Sequence, residues 1–305
     1  MYIIDFGVYI PEKREDTFEI NKVNNYPLNF IKNKLGFKQL SKKDSNETVK
    51  DMCIKAFENL NNKIELNIDD IDLIVVVTQS SNYKIPHISA LLHNYLNAQE
   101  CCMTFDISQG CAGYTYALNI VQSLMHNNNY NEALIFTCDP YSDVINPYDK
   151  KVNMIFGDAA TVSYVNSQKG KLKIIDSNFG ISKKSNDCLK IEDTYLNMDG
   201  QRVFNYALKN VPQSISKLLE KNNLDINSID HYIFHQGTKY MVEAVAKKLK
   251  ISTKELFCAQ DYGNTISSSI PIQLYYKNFE KNKKIIISGF GVGFSWGNTI
   301  LKTIY

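Results

Sequence analysis

Asp106-Ile107-Ser108-Gln109-Gly110-Cys111-Ala112-Gly113-Tyr114 is the stretch on which the reading of this chain turns. Before it, Cys101-Cys102-Met103-Thr104-Phe105 is a short apolar run of strand type; after it, Ala117, Leu118, Ile120, Val121 and Leu124 recur at helical spacing. Gly110 and Gly113 bracket the cysteine and permit a sharp turn with close backbone approach. Cys111 therefore stands where a strand turns into a largely apolar helix. At a helix N-terminus the unpaired amides and the dipole favour a thiolate, so a lowered pKa and a reactive sulfur are expected. A buried cysteine acting as a small hydrophobe is the plainer alternative, but the strand-Gly-Cys-x-Gly-helix context favours a nucleophile.

The whole chain sets the frame. Its 305 residues suit one large domain or two fused halves. A net charge of +2 carries neither a nucleic-acid footprint nor an acidic tail, and only Arg14 and Arg202 among the 34 basic residues are arginine. The seven cysteines (53, 101, 102, 111, 138, 188 and 258) lack C-x-x-C pairs and framework spacing. They read as reduced thiols in a reducing compartment, with no metal site. Met1-Tyr2-Ile3-Ile4-Asp5 begins like a strand without a signal-peptide charge pattern. No apolar run approaches the ~20 residues that span a bilayer, so a cytoplasmic protein without membrane contact is expected.

Outward from Cys111, the chain alternates helix and strand. Asn46-Glu47-Thr48 resembles a helix start, with Met52, Ala56, Phe57 and Leu60 as its apolar face. Ile71 to Val77 reads as a strand buried on both faces, Ser89 to Asn97 as a helix and Ala133 to Thr137 as another buried strand. Asn205 to Asn222 is helical by spacing, with Pro212 kinking it or marking its effective start. Asn67-Ile68-Asp69-Asp70-Ile71-Asp72-Leu73-Ile74-Val75-Val76 has an echo in Asp225-Ile226-Asn227-Ser228-Ile229-Asp230-His231-Tyr232-Ile233-Phe234. Each copy leads through a polar turn and a helix to a further strand, which delivers Cys111 in one case and Gly263-Asn264-Thr265 in the other. A half-length repeat predicts two similar α/β halves, residues 1–168 and 169–305, packed face to face so that functional turns meet at a pseudo-twofold seam.

The second half offers His235 at the end of strand Tyr232-Ile233-Phe234, the edge where α/β sheets carry their sites. Asn264 alone would be a turn asparagine; its place in the repeat raises its interest. Gly289-Phe290-Gly291-Val292-Gly293-Phe294-Ser295-Trp296-Gly297 fails as a dinucleotide fingerprint, because Phe294 stands where the third glycine belongs and no βαβ unit follows. A backbone held close to a reacting group, with an amide serving as oxyanion donor, accounts for it better.

Together these pieces resemble the β-ketoacyl-acyl carrier protein synthase III family, of thiolase fold. The matches span nearly the whole chain: Glu47-Thr48-Val49, Asp106 to Gly113, Ile155-Phe156-Gly157-Asp158, Met198-Asp199-Gly200 with Val203-Phe204, His235-Gln236, Gly263-Asn264-Thr265 and the final glycine run. The resemblance implies a five-layer αβαβα sandwich with Cys111, His235 and Asn264 as a catalytic triad. Cys111 would take an acyl group from a thioester. His235 and Asn264 would stabilise the enolate left when malonyl-carrier protein loses carbon dioxide. The turn at Val292 would supply an oxyanion amide, and Phe290 would guard the malonyl path. No cofactor is implied beyond coenzyme A and acyl carrier protein thioesters as substrates, and a homodimer is expected, paired across a sheet edge.

Three departures stand out. The family's tryptophan and arginine for the coenzyme A adenine are Phe30 and Lys34 here, a further coenzyme-contacting arginine is Lys150, and a central glycine of the last run is Val292. Lysine holds phosphate as a point charge without the planar guanidinium. A weakened coenzyme grip and a general drift from arginine to lysine both fit. Ile85 aligns with a residue that reaches into the partner subunit's acyl pocket. Lys247 and Lys248 match basic carrier-docking positions, although a solvated helix face explains a lysine pair equally. Among rival readings, a hydroxymethylglutaryl-CoA synthase lacks its glutamate base, since Thr78-Gln79-Ser80 stands there. A family-related acyltransferase usually loses part of the His/Asn pair, and a non-catalytic partner subunit generally loses the cysteine.

Overall fold

Nine strands of the main sheet, numbered in chain order, are β1 (Tyr2–Tyr9), β2 (Leu73–Val77), β3 (Met103–Ile107), β4 (Glu132–Cys138), β5 (Ala160–Asn166), β6 (Leu172–Ile181), β7 (His231–Phe234), β8 (Lys284–Gly291) and β9 (Ser295–Thr303). They come from a computed structural model that describes residues 1–304. Their order across the sheet is β7-β8-β9-β6-β1-β5-β4-β2-β3. The two outer ends are parallel: β2 pairs with β3 and β4, and β7 with β8. The inner pairs are antiparallel, and β1 meets β6 through only Tyr2↔Lys173 and Ile3↔Leu172.

Seven helices of eight residues or more accompany the strands: α1 (Thr17–Asn24), α2 (Val49–Asn61), α3 (Ile88–Leu96), α4 (Gly113–Asn128), α5 (Gly200–Lys221), α6 (Lys239–Leu249) and α7 (Ser269–Tyr276). The sequence sets their starts. Thr48 and Asp51 form a capping box on α2, and Asp199 accepts from Arg202 N–H to cap α5, each such cap contributing ~1 kcal/mol.

Strand periodicity then assigns the layers. In β2, Leu73, Val75 and Val77 face α4 in a middle layer shared with Ile233, Ile285 and Ile287 of the other half and with Ile270 and Leu274 of α7. Ile74 and Val76 turn the other way, against Met52, Ala56 and Leu60 of α2 and Leu92 of α3. On the opposite outer face, Phe234 and Ile286 pack on Val211 and Ile215 of α5 and Val245 of α6. The result is helix, sheet, helix, sheet, helix: the expected five-layer sandwich. All five residues of β2 are fully buried, each contributing ~1.5–3 kcal/mol of apolar transfer.

The repeat is real at the level of elements. A 3₁₀ turn at Ile68–Asp70 precedes β2, and one at Ile226–Ser228 precedes β7. Likewise 3₁₀ turns at Gly110–Ala112 and Ile266–Ser268 lead into α4 and α7. Two expectations need correction. No strand delivers Asn264; the chain there makes only an isolated bridge to Phe156. The side-chain amide of Gln236 replaces the missing rung, donating to Leu256 O at 3.0 Å and accepting from Cys258 N–H at 2.9 Å. Pro212 does not begin its helix, because α5 starts at Gly200 and runs through it. β3 lies at the edge of the sheet and is partly exposed along its length.

Candidate active site

The carboxyl ends of the parallel strands converge on one place, as expected for an α/β sheet. β3 leads to Cys111, β4 to Asp139, β7 to His235 and β8 to Gly291. A cavity of about 470 Å³ opens there; its lining includes Cys111, Tyr141, Phe156, His235, Asn264, Phe290 and Gly291 deep inside, and Phe30, Lys34, Lys151, Gln201, Phe204 and Tyr240 towards the rim. The wall is overwhelmingly apolar, so the few polar groups on the floor stand out.

Close backbone packing fixes the Cys111 turn. A Cβ on Gly113 would lie 2.3 Å from Val77 Cγ1, and one on Gly291 would lie 2.6 Å from Cys111 Sγ. The backbone amides of Val292 and of Cys111 itself act to favour the thiolate. The helix-start setting expected from sequence is present, yet the thiol moves the other way. Its pKa is pushed up to about 12 by burial and by the negative charge of Asp139, which together outweigh the two amides. The resting sulfur is a protonated thiol.

His235 is buried, and its Nδ1 lies 2.8 Å from Ser269 Oγ, leaving Nε2 as the ring nitrogen free for the cavity. Burial lowers its pKa to about 4, against the opposing effect of the Ile266 carbonyl, so the ring is neutral. Phe290 meets this ring edge-on at 5.7 Å between centroids. Asn264 accepts from Ile266 N–H through Oδ1 at 3.0 Å, which leaves its Nδ2 hydrogens for the cavity. Two neutral donors and a thiol thus share one apolar floor.

The remaining predicted positions divide. Phe30 and Lys34 line the cavity, but each already has a partner. Phe30 stacks on Tyr26 at 4.8 Å; Lys34 Nζ sits 3.2 Å from the centroid of Tyr240, whose other neighbour is Phe204, stacked at 5.1 Å. Lys150 does not line the cavity. Its Nζ donates to Asn24 O at 3.2 Å, and the next residue, Lys151, faces the rim instead. Ile85 is 86% exposed and outside this chain's cavity. Lys247 and Lys248 are exposed in the last turn of α6, about 10 Å along the helix from Tyr240 at ~1.5 Å per residue.

Sequence reasoning passed over several groups. Tyr141, Gln79, Asp139, Ser267 and Ser269 all support the floor. Asp139 had a readable signal: an acid directly after an apolar strand, at the same sheet edge as Cys111 and His235.

A two-half, five-layer α/β sandwich with its polar groups gathered at the seam defines a thiolase-fold protein. The family description "3-Oxoacyl-[acyl-carrier-protein (ACP)] synthase III" matches residues 105–182, and its C-terminal counterpart matches residues 219–303. The chain belongs to this family. It is 26% identical to a β-ketoacyl-[acyl-carrier-protein] synthase III of Clostridioides difficile, over 98% of this chain and 97% of the relative. Identity to the protein of that name from Clostridium perfringens is 28%, covering 98% of both. The crystal structure of 3-oxoacyl-[acyl-carrier-protein] synthase III from Aquifex aeolicus superposes with a TM-score of 0.92 at 25% identity, covering 99% of both chains.

Proposed function

We propose that this chain is a β-ketoacyl-acyl carrier protein synthase III, an acyltransferase of fatty-acid or specialised acyl biosynthesis. The observation that carries the reading is the meeting of Cys111, His235 and Asn264 on the floor of a single apolar cavity in a chain of this family. The Cys111 sulfur attacks an acyl thioester; the acyl–sulfur bond of the donor breaks, and the thiol proton ends on the departing thiol. Malonyl-carrier protein then enters and its carbon–carboxylate bond breaks, releasing carbon dioxide. The electron pair is held as an enolate by donors from His235 and Asn264, and positioned donors of this kind are worth ~10²–10³-fold. The carbanion attacks the acyl-Cys111 carbonyl, the backbone turn at Val292 steadies the oxyanion, and the thiolate leaves to give a 3-oxoacyl-carrier protein. For His235 to donate, Ser269 O–H must point at Nδ1, placing the ring hydrogen on Nε2. Phe290 walls the malonyl path.

Substrate supply follows from the rim. With Lys34 held on the Tyr240 ring and Lys150 turned away, Lys151 is left at the rim as the cation for a nucleotide, fewer than the two positions the resemblance implies. An acyl-carrier donor therefore competes with acyl-CoA. Lys247 and Lys248 meet the acidic carrier. The exposed edge of β3, with Met103 39% exposed, suits pairing with the same strand of a second copy in a homodimer, where Ile85 reaches the partner's pocket. The seven free cysteines suit the reducing cytoplasm.

Intact mass after incubation with an acyl-CoA and acyl-carrier panel, then with malonyl-carrier protein, tests the scheme. A single acyl increment should appear and then vanish as 3-oxoacyl product forms. A protein left unmodified by every donor would sink the proposal.

A further inference from the structure

Behind the cavity floor lies a carboxylate that the condensation scheme does not use. Asp139 directly follows β4 and is completely buried. Its Oδ1 accepts from Gln79 N–H at 2.6 Å, and its Oδ2 accepts from Ser267 O–H at 2.5 Å. These partners belong to different halves of the molecule. Gln79 follows β2, and its Oε1 fills the space beside Gly110, where a Cβ would come within 2.4 Å of it. The same oxygen accepts from Tyr141 O–H at 3.0 Å. Ser267 lies in the 3₁₀ turn Ile266–Ser268, between Asn264 and the serine that contacts His235.

That second turn is strained. Ile266 has φ +49°, a left-handed conformation that is a genuine outlier for a β-branched residue and costs ~1–3 kcal/mol unless its surroundings over-determine it. Asn264 Oδ1 holds the Ile266 amide, and Asp139 holds the next residue through its hydroxyl.

We propose that Asp139 is the positioning residue of the condensation: from the seam it locks the turn carrying Asn264 to the turn carrying Cys111, and its charge acts on the thiol. The titratable groups around that thiol are Asp139, Tyr141 and His235; around Asp139 itself stand Cys111, Tyr141 and Cys138. Burial raises the Asp139 pKa to about 6, so at pH 7–8 it is predominantly ionised. A resident negative charge opposes a second one on sulfur, in keeping with the protonated thiol described above.

The inference rests on the proposed roles of Cys111, His235 and Asn264, and the test separates the two. In Asp139→Asn the charge is gone, and the carboxamide must turn its NH₂ towards either Gln79 N–H or Ser267. Iodoacetamide alkylation of Cys111, followed by peptide mass across pH 7–10, should show the rise of rate with pH displaced to lower pH, with a rate at pH 8 about tenfold higher. A loss of packing alone would expose the other buried cysteines as well, which the same maps read. Malonyl decarboxylation by the pre-acylated variant should fall about tenfold or more. Ser267→Ala removes one bond from the strained turn without altering charge. It should lower decarboxylation while leaving the alkylation profile where it was, and it carries the test if Asp139→Asn does not fold. A wild-type alkylation rate profile in folded Asp139→Asn, or wild-type decarboxylation in Ser267→Ala, overturns the inference. A displaced profile in an enzyme whose wild type never condenses would overturn the proposed function and leave the charge effect standing.

Discussion

Replacing Gly291 by alanine puts one methyl group where the nucleophile sits. The added Cβ would lie 2.6 Å from Cys111 Sγ and 2.7 Å from Cys111 Cβ, whereas unstrained heavy-atom contacts lie near 3.5–4.0 Å. About 1 Å must therefore be found. The Cys111 turn has little room to retreat, because Gly289 and Gly113 are packed equally tightly: a Cβ added to them would lie 2.5 Å from Cys111 O and 2.3 Å from Val77 Cγ1. Displacing a reacting atom by ~1 Å costs about 10²-fold in rate, and forcing a methyl group into a packed site costs ~1–3 kcal/mol of stability. Single-turnover acylation with saturating donor, quenched and read by intact mass, should be slowed by that factor, with a lowered melting temperature. Gly293→Ala is the control. Gly293 has φ +66° but nothing within 4 Å of an added Cβ, so alanine there should destabilise through backbone conformation and leave the acylation rate near wild type. Gly291→Ala acylating within twofold of wild type would refute the steric reasoning.

Other outcomes follow from the same geometry. Cys111→Ser should abolish condensation, and peptide mapping of the wild type should find the acyl group on Cys111 alone among the seven cysteines. His235→Ala and Asn264→Ala should still acylate Cys111 while losing malonyl decarboxylation by ~10²-fold or more, measured as carbon dioxide release. His235 is a base whose folded pKa, about 4, lies below the unfolded value of 6.5. Its contribution is present above pH 6.5 and lost as pH falls through 4, about 3 kcal/mol in all. Asp139, with its pKa raised to about 6, changes stability in the opposite direction over the same range, so the slope is read as the difference between wild-type and His235→Asn urea midpoints at pH 7, 5 and 4. Reversing Lys247 and Lys248 to glutamate should raise KM for malonyl-carrier protein, most at low salt, with acylation by a small thioester unchanged.

The architecture was legible because its signals are local. β-Branched runs, the Thr48 cap and the twice-used turn-then-strand pattern each act within a few residues. Cys111 and His235 were legible for a related reason: each follows an apolar strand at the sheet edge where α/β sites gather, whereas Asn264, which no strand delivers, stood out through its place in the repeat and the family resemblance. What escaped depends on depth and on distant partners. The helix start beneath Cys111 is visible in sequence, but the extent of its burial and the approach of Asp139 from another strand are not, so the direction of the thiol shift was misread. The strand expected before Asn264 is replaced by a Gln236 side chain, and no periodicity reports such a substitution. Lys150 and Lys151 are neighbours in an irregular segment, where no regular repeat tells which one faces the cavity. Pro212 was read as a kink or as the effective start of its helix, and the second fails because the apolar face of α5 extends on both sides of it.

The slender joint between β1 and β6 determines how a substrate can reach the floor. Two residue pairs cannot hold the halves together; the shared layer of α4 and α7 does, with apolar faces of both sheets closed over it. Parting the halves to admit an acyl chain would wet that entire layer, at a cost far above what one small thioester returns on binding. Traffic must instead pass across the rim, beneath the Leu189–Glu192/Tyr195–Met198 hairpin and the helical stretch around Phe30. In this molecule the seam is the fixed jaw and the rim is the doorway.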